Sequence, residues 1–164
     1  QDVVEEIFAG FQARDDRVTR GEWIGLDRLP ALRRAETICG SGLRAMNAIG
    51  RSHRLYWSLQ NERMEVFPSN ERLTGYITDL NPQSGLIGIP TITDNGVTVK
   101  ALIQPEISPG QTVRITSDVL SMNAEGGEYR ISKANFAGDN RDGDFFVNIT
   151  GERIQGGTVD EGRV

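Results

Sequence analysis

The sequence predicts an α+β protein: a small α/β segment with two helices and a hairpin over residues 1–75, then a small antiparallel β-barrel over residues 76–164. Three observations carry this reading. Apolar residues recur at helical spacing only in the first half. The second half alternates at period two between closely spaced turn residues. Glycine supplies 19 of the 164 residues, which suits short elements and many turns.

Asp2 is placed to cap a first helix, with Glu5 as the returning carboxylate of a capping box. Val3, Val4, Ile7, Phe8 and Phe11 form its apolar face. A short strand is expected over Trp23-Ile24-Gly25-Leu26, ended by Leu29-Pro30. Ser41 is a good N-cap for a second helix, with Leu43, Met46 and Ile49 as its buried stripe and Gly50 as its left-handed end. Leu55, Trp57 and Leu59, then Met64 and Val66, alternate about a turn at Gln60-Asn61-Glu62, which reads as a hairpin ended by Pro68. Residues 69–75 are polar and read as a connector.

Five strands are expected after Gly75. The first is Leu86-Ile87-Gly88-Ile89, with Pro90 near its end. Asp94-Asn95-Gly96 then signals a type I′ turn, since Asn-Gly accepts two positive φ values. Val97 to Ile103 is the return strand, and Gln104 to Gly110, with two prolines, makes a sharp corner. Val113 and Ile115 mark the third strand, Tyr129-Arg130-Ile131 toward Phe136 the fourth, and Phe145, Val147 and Ile149 the last. The glycine-rich charged stretch from Gln155 to Val164 is expected to fray or to be tied to a partner.

Composition narrows the chemistry. The chain holds 18 Lys+Arg and 23 Asp+Glu, for a net charge of -5, with one His and one Cys. An acidic balance disfavours nucleic-acid binding, which needs clustered cations to displace counterions. Cys39 has no disulfide partner, and His53 with Cys39 cannot complete a His/Cys zinc site. His53 lies beside Arg51 and Arg54, with no neighbouring carboxylate in the sequence to orient it as a base. The segment Asp139-Asn140-Arg141-Asp142-Gly143-Asp144 fails the EF-hand register, because Gly143 at position six puts Gly138 at one and Ile149 at twelve. It reads as a turn, with a weak surface Ca²⁺ site as the alternative. Gly40-Ser41-Gly42 lacks the Lys and Ser/Thr of a phosphate loop. Asn148-Ile149-Thr150 matches a glycosylation sequon but lies inside an expected strand. No catalytic, cofactor or metal residue is therefore assigned. No apolar stretch is long enough to span a membrane and no secretory segment opens the chain, so a cytoplasmic origin is the default.

Charge is unevenly spread. Residues 1–75 carry 11 Arg, no Lys and 11 acids, whereas residues 76–164 carry 7 Lys+Arg and 12 acids. The first residue is Gln, which suggests a fragment or a processed product.

The block from Ser84-Gly85-Leu86-Ile87-Gly88-Ile89-Pro90 through Asp94-Asn95-Gly96-Val97-Thr98-Val99-Lys100-Ala101-Leu102-Ile103-Gln104-Pro105-Glu106-Ile107-Ser108-Pro109-Gly110 resembles the baseplate hub proteins of contractile-tailed bacteriophages. Gly127-Glu128-Tyr129-Arg130-Ile131, Ala137-Gly138-Asp139-Asn140 and Asp144-Phe145-Phe146 extend the likeness, as does the upstream order of helix, short strand, helix and hairpin. Gln104, where Asn is more typical, departs from the pattern. The spike protein of type VI secretion carries a related front section. The resemblance implies a non-enzymatic structural subunit and a missing N-terminal barrel domain. It implies a homotrimeric ring in the virion tail, assembled in the bacterial cytoplasm, that joins the tail tube and other baseplate proteins to the central spike. DNA passes through such a ring without specific binding, and no membrane is involved.

Short strands leave edges that neighbouring copies can cover. Leu86, Ile87 and Ile89, and Phe145, Val147 and Ile149, are the candidate inter-subunit strand edges. Asp94, Asp118, Asp139, Asp142 and Asp144, with Asp79, are candidate channel-facing acids, since like charge keeps a polyanion off a wall. The alternative is a small barrel-type module for a carbohydrate or peptide, with Trp23, Trp57 or Tyr129 as its platform.

Overall fold

The computed structural model describes residues 2–28, 40–122, 124–139, 141, 143 and 145–154. Cys39, Asn140, Asp142, Asp144 and residues 155–164 lie outside them. The chain forms two compact units, Gln1–Glu71 and Arg72–Val164, each with its own core.

The first unit opens with helix α1, Asp2–Gln12. Val4 and Ile7 are buried, while Phe8 meets Trp23 edge-on and Phe11 stacks on Trp57. Asp2 is already helical, so it does not stand outside the helix as a cap, and the Glu5 carboxylate lies 3.7 Å from Arg20. Strand β1 covers Thr19–Trp23, earlier than expected. Gly25 takes φ +68, which ends the strand and leads into a single 3-10 turn, Leu26–Arg28. Helix α2 is Gly42–His53. It runs past Gly50, and Arg54 takes the left-handed end position at φ 54, ψ 45. Met46 is buried, but Leu43 stands on the open side of the helix. Strands β2, Leu55–Gln60, and β3, Arg63–Pro68, form the expected hairpin. Its loop is Asn61-Glu62, both at positive φ, which matches the twist of the strands. β1 joins β3 in parallel, so the sheet order is β1-β3-β2.

The second unit is one six-stranded sheet. Its strands are β4, Ile77–Leu80; β5, Leu86–Thr93; β6, Gly96–Ala101; β7, Thr112–Ile115; β8, Glu128–Gly138; and β9, Phe145–Arg153. They lie in the order β4-β7-β8-β9-β6-β5. The β4–β7 pair is parallel and every other neighbouring pair antiparallel. Laid flat, this order would separate β4 from β5 by about 24 Å, at about 4.8 Å per strand step. Yet Asn81–Gly85 joins them through a tight turn, in which the Ser84 and Leu86 amides both donate to the Asn81 carbonyl at 3.0 Å. The sheet must therefore curl, and it does so as a half-barrel. No ladder joins β4 to β5 among the described residues, so the expected closed barrel is corrected to an open one. The inner face buries Leu80, Val97, Val99, Val113, Ile115, Tyr129, Ile131, Val147 and Ile149.

Two further corrections concern turns. The β5–β6 loop is Asp94-Asn95, and none of Asp94, Asn95 and Gly96 has positive φ, so the type I′ assignment fails. Gly96 is needed for close approach instead: a Cβ there would overlap the Gly151 carbonyl oxygen on β9. The return strand stops at Ala101, because the Leu102 amide donates to Gly85 at 2.8 Å and leaves the ladder.

Candidate assembly surfaces

The half-barrel has two outer strands, β4 and β5, each with one hydrogen-bonded neighbour among the described residues. β5 is not a plain edge. Ile87 pairs with Lys100 and Thr91 with Thr98, so Gly88, Ile89 and Pro90 stand opposite Val99 alone. Gly88 supports this bulge at φ +73, and Pro90 has no N–H to offer a neighbour. Ile89 is thrust outward at 62% exposure, with Ile87 at 37%, whereas Leu86 faces the core. Bulge and proline together limit which partner strand the edge accepts.

The second candidate edge is corrected. β9 lies between β8 and β6, with Val147 opposite both Phe136 and Ala101 and Ile149 opposite both Ala134 and Val99. Both residues are fully buried, so neither offers an open backbone. Period-two alternation reports the buried face of a strand and not its neighbours. Phe145 differs, because β9 overhangs β6 there: it pairs only with Gly138 and remains exposed, as does Phe136 on the same face.

The acids do not gather at one place. Asp94, at the β5–β6 turn, and Asp118, after β7, lie toward one end of the strands, and Asp139, after β8, lies toward the other. All three are exposed. The Asp139 carboxylate accepts the Arg141 amide at 3.0 Å, the geometry of a local turn. Asp142 and Asp144 lie outside the described residues. Asp79 pairs with Arg114 at 3.2 Å, and Arg114 also reaches Glu128 at 2.8 Å. Glu128 takes a second cation, Arg72, at 2.7 Å. Hydrogen bonds from Arg72 and then Arg114 hold the Glu128 carboxyl below its ordinary pKa. In the first unit Glu65 is pushed up, chiefly by burial, with Glu22 adding to the rise against Arg63.

The aromatic platforms do not converge. Tyr129 is wholly buried in the second unit's core. Trp23 donates its Nε1 to the Met64 carbonyl at 3.0 Å, and the Arg20 guanidinium covers its ring at 4.1 Å. Trp57 donates to Asn47 Oδ1 at 3.1 Å and borders a groove of about 410 Å³ at the end of α2. His53 closes α2, half-buried, as the last helical residue. Among the described residues no group of three His, Cys, Asp or Glu could hold a metal ion, and no helix is long and apolar enough to cross a membrane.

The sequence reading missed the edge strand β4, the exposure of Phe136, and Leu102, which is exposed beyond β6. The signal for β4 was only the four residues Ile77-Thr78-Asp79-Leu80.

A comparison with curated proteins finds no match. A family model described as baseplate hub gp41 matches residues 31–151, about three quarters of the chain, reaching from the first unit to the end of the half-barrel. The outer strands and outward apolar side chains are the features that a structural component offers its neighbours. The chain belongs to the baseplate hub gp41 family, structural proteins of the bacteriophage tail.

Proposed function

We propose that three copies of this chain form a ring that joins the tail tube to the central spike, in a virion tail assembled in the host cytoplasm. The family match carries this reading. The open half-barrel supports it, because a sheet with two unsatisfied outer strands gains stability when sister copies complete it. β5, with Ile87 and Ile89 projecting from it, is the edge assigned to a sister copy. The exposed acids Asp94, Asp118 and Asp139 are assigned to the ring's inner wall, together with Asp142 and Asp144, where they repel the DNA that passes through.

Analytical ultracentrifugation of the full chain, alone and with the spike and tube proteins, tests the reading. The expected species has three times the mass of the chain, and Ile89→Asp returns it to monomer with its melting temperature unchanged. A monomer at every concentration, with or without the neighbouring proteins, overturns the ring. A cryo-EM map of the ring that places the acids on its outer surface overturns the inner-wall assignment alone.

A further inference from the structure

We propose that the groove at the C-terminal end of α2 docks an acidic segment of another protein. Asn47, Arg51, Arg54, Tyr56, Trp57 and Ser69 line it, enclosing about 410 Å³. The inference goes beyond the ring and does not rest on it.

Charge is the first argument. α2 carries Arg44 and Arg51 and no acidic residue, and Arg54 follows directly, in a chain of net charge -5. Elsewhere Arg17, Arg20, Arg28, Arg72, Arg114 and Arg130 each meet a carboxylate. Arg51 and Arg54, like Arg14, Arg44, Arg63 and Arg141, have no ion-pair partner among the described residues, and only these two lie together at a groove. The Asn47 side-chain Oδ1 accepts from the Trp57 indole, which leaves the Asn47 Nδ2 as a further donor. Two guanidinium groups and an amide present donors to the groove, and carboxylates are acceptors.

Backbone strain is the second argument. A helix ends most readily with Gly in the left-handed position. Here that position holds Arg54, at φ 54, ψ 45, with its amide donating to Gly50. Attraction to the helix dipole accounts for Arg51 in the last turn, but it does not account for a strained arginine after it. Strain retained at a groove is a mark of use.

The aromatic walls decide the class of partner. Trp57, held to Asn47 by its indole, lines the groove together with the two arginines, so the groove accepts a chain with apolar stems and charged tips. Nucleic-acid binding rests on many phosphate contacts along a basic track, and this groove offers two.

The test uses fluorescence anisotropy with a fluorescein-labelled hexaglutamate peptide, a hexaglutamine control and a single-stranded DNA oligonucleotide. Saturable, salt-weakened binding of hexaglutamate alone is expected. Arg51→Glu with Arg54→Glu weakens it by about tenfold or more, whereas Arg63→Glu, at the start of β3, leaves it unchanged. Arg54→Gly is the separating variant: relief of the left-handed arginine raises the melting temperature while peptide binding falls. Failure of hexaglutamate to bind, equal binding by the charge-reversed variant, tighter binding of DNA, or a lowered melting temperature in Arg54→Gly overturns the proposal.

Discussion

Replacement of Gly96 by alanine tests the packing of the half-barrel at its tightest point. Gly96 lies opposite Glu152 on β9 and closes the β5–β6 hairpin against Thr93. An added Cβ would overlap the Gly151 carbonyl oxygen and lie 2.9 Å from the Cα of Glu152. Both obstacles are backbone, and β8 pins β9 from the other side. Gly151 is itself tight, since a Cβ there would meet Tyr129 Cβ at 2.8 Å. Relief must come from moving the hairpin, which combines overpacking of about 1–3 kcal/mol with the loss of one or two ladder bonds at about 1 kcal/mol each. About 3 kcal/mol is therefore expected, out of a total near 5–15 kcal/mol for a domain. At about 4–8 °C per kcal/mol for a unit of this size, the melting temperature falls by more than about 10 °C. Far-UV circular dichroism reads this loss. Fluorescence of Trp23 and Trp57, both in the first unit, stays as in the parent. Asn95→Gly is the companion variant. With Asn95 at negative φ, glycine there costs about 0.5–1 kcal/mol, whereas a type I′ turn would accept it freely. A Gly96→Ala protein within about 0.5 kcal/mol of the parent, or a stabilised Asn95→Gly, refutes the close-approach argument.

Three other outcomes follow from the same geometry. Burial raises the Glu65 pKa in the folded state, so its contribution is present below the ordinary carboxylate value and lost as pH rises through the folded one; Glu65→Gln should raise the tryptophan-detected melting temperature at neutral pH and bring no gain in acid. Glu128 has the opposite sign: Arg72 and then Arg114 lower its pKa, so its stabilisation is present above the ordinary value and lost as pH falls through the folded one. Urea midpoints read by circular dichroism should drop in that acid range for the parent, and Glu128→Gln should be weaker at neutral pH and flatter in acid. Deletion of Gly88 and Ile89 removes the β5 bulge and straightens the edge, so light scattering should show larger, open-ended assemblies, and a single discrete species would count against the bulge as a guard.

Much of the fold was legible where pattern is local. α1 follows from its apolar spacing, and the β2–β3 hairpin from alternation on both sides of Asn61-Glu62. The failures share a cause. β4 is four residues long and is held by parallel pairing to β7, more than 30 positions away, so nothing nearby marks it. The outer edge expected at Val147 and Ile149 is instead an interior strand, because the order β8-β9-β6 depends on chain reversals that alternation does not encode. Leu43 fits the apolar stripe of α2 yet is exposed, since the helix turns its Ala45 and Met46 side to the core. The family was legible in the block from Gly85 to Gly110, which falls within the matched residues. The groove at α2 was visible only as basic neighbours of His53; its lining needed the hairpin folded back beside the helix.

The openness of the half-barrel is a consequence of its connections. The turn at Asn81–Gly85 brings the end of β4 to the start of β5, so the two outer strands meet at one corner. Closure would require a ladder along β5, and there the chain places a bulge and a proline. The Leu102 amide is spent on Gly85 and Gln104 donates to the Ser84 carbonyl at 2.7 Å, which fixes that corner. The open strands thus follow from the connections and from the irregular register of β5. Monomeric proteins use the same devices to keep an open edge from aggregating, so the bulge and the proline act as a filter on which strand can join. A filter of that kind also suits the proposed ring, in which β5 must accept a sister copy of one geometry and refuse other strands.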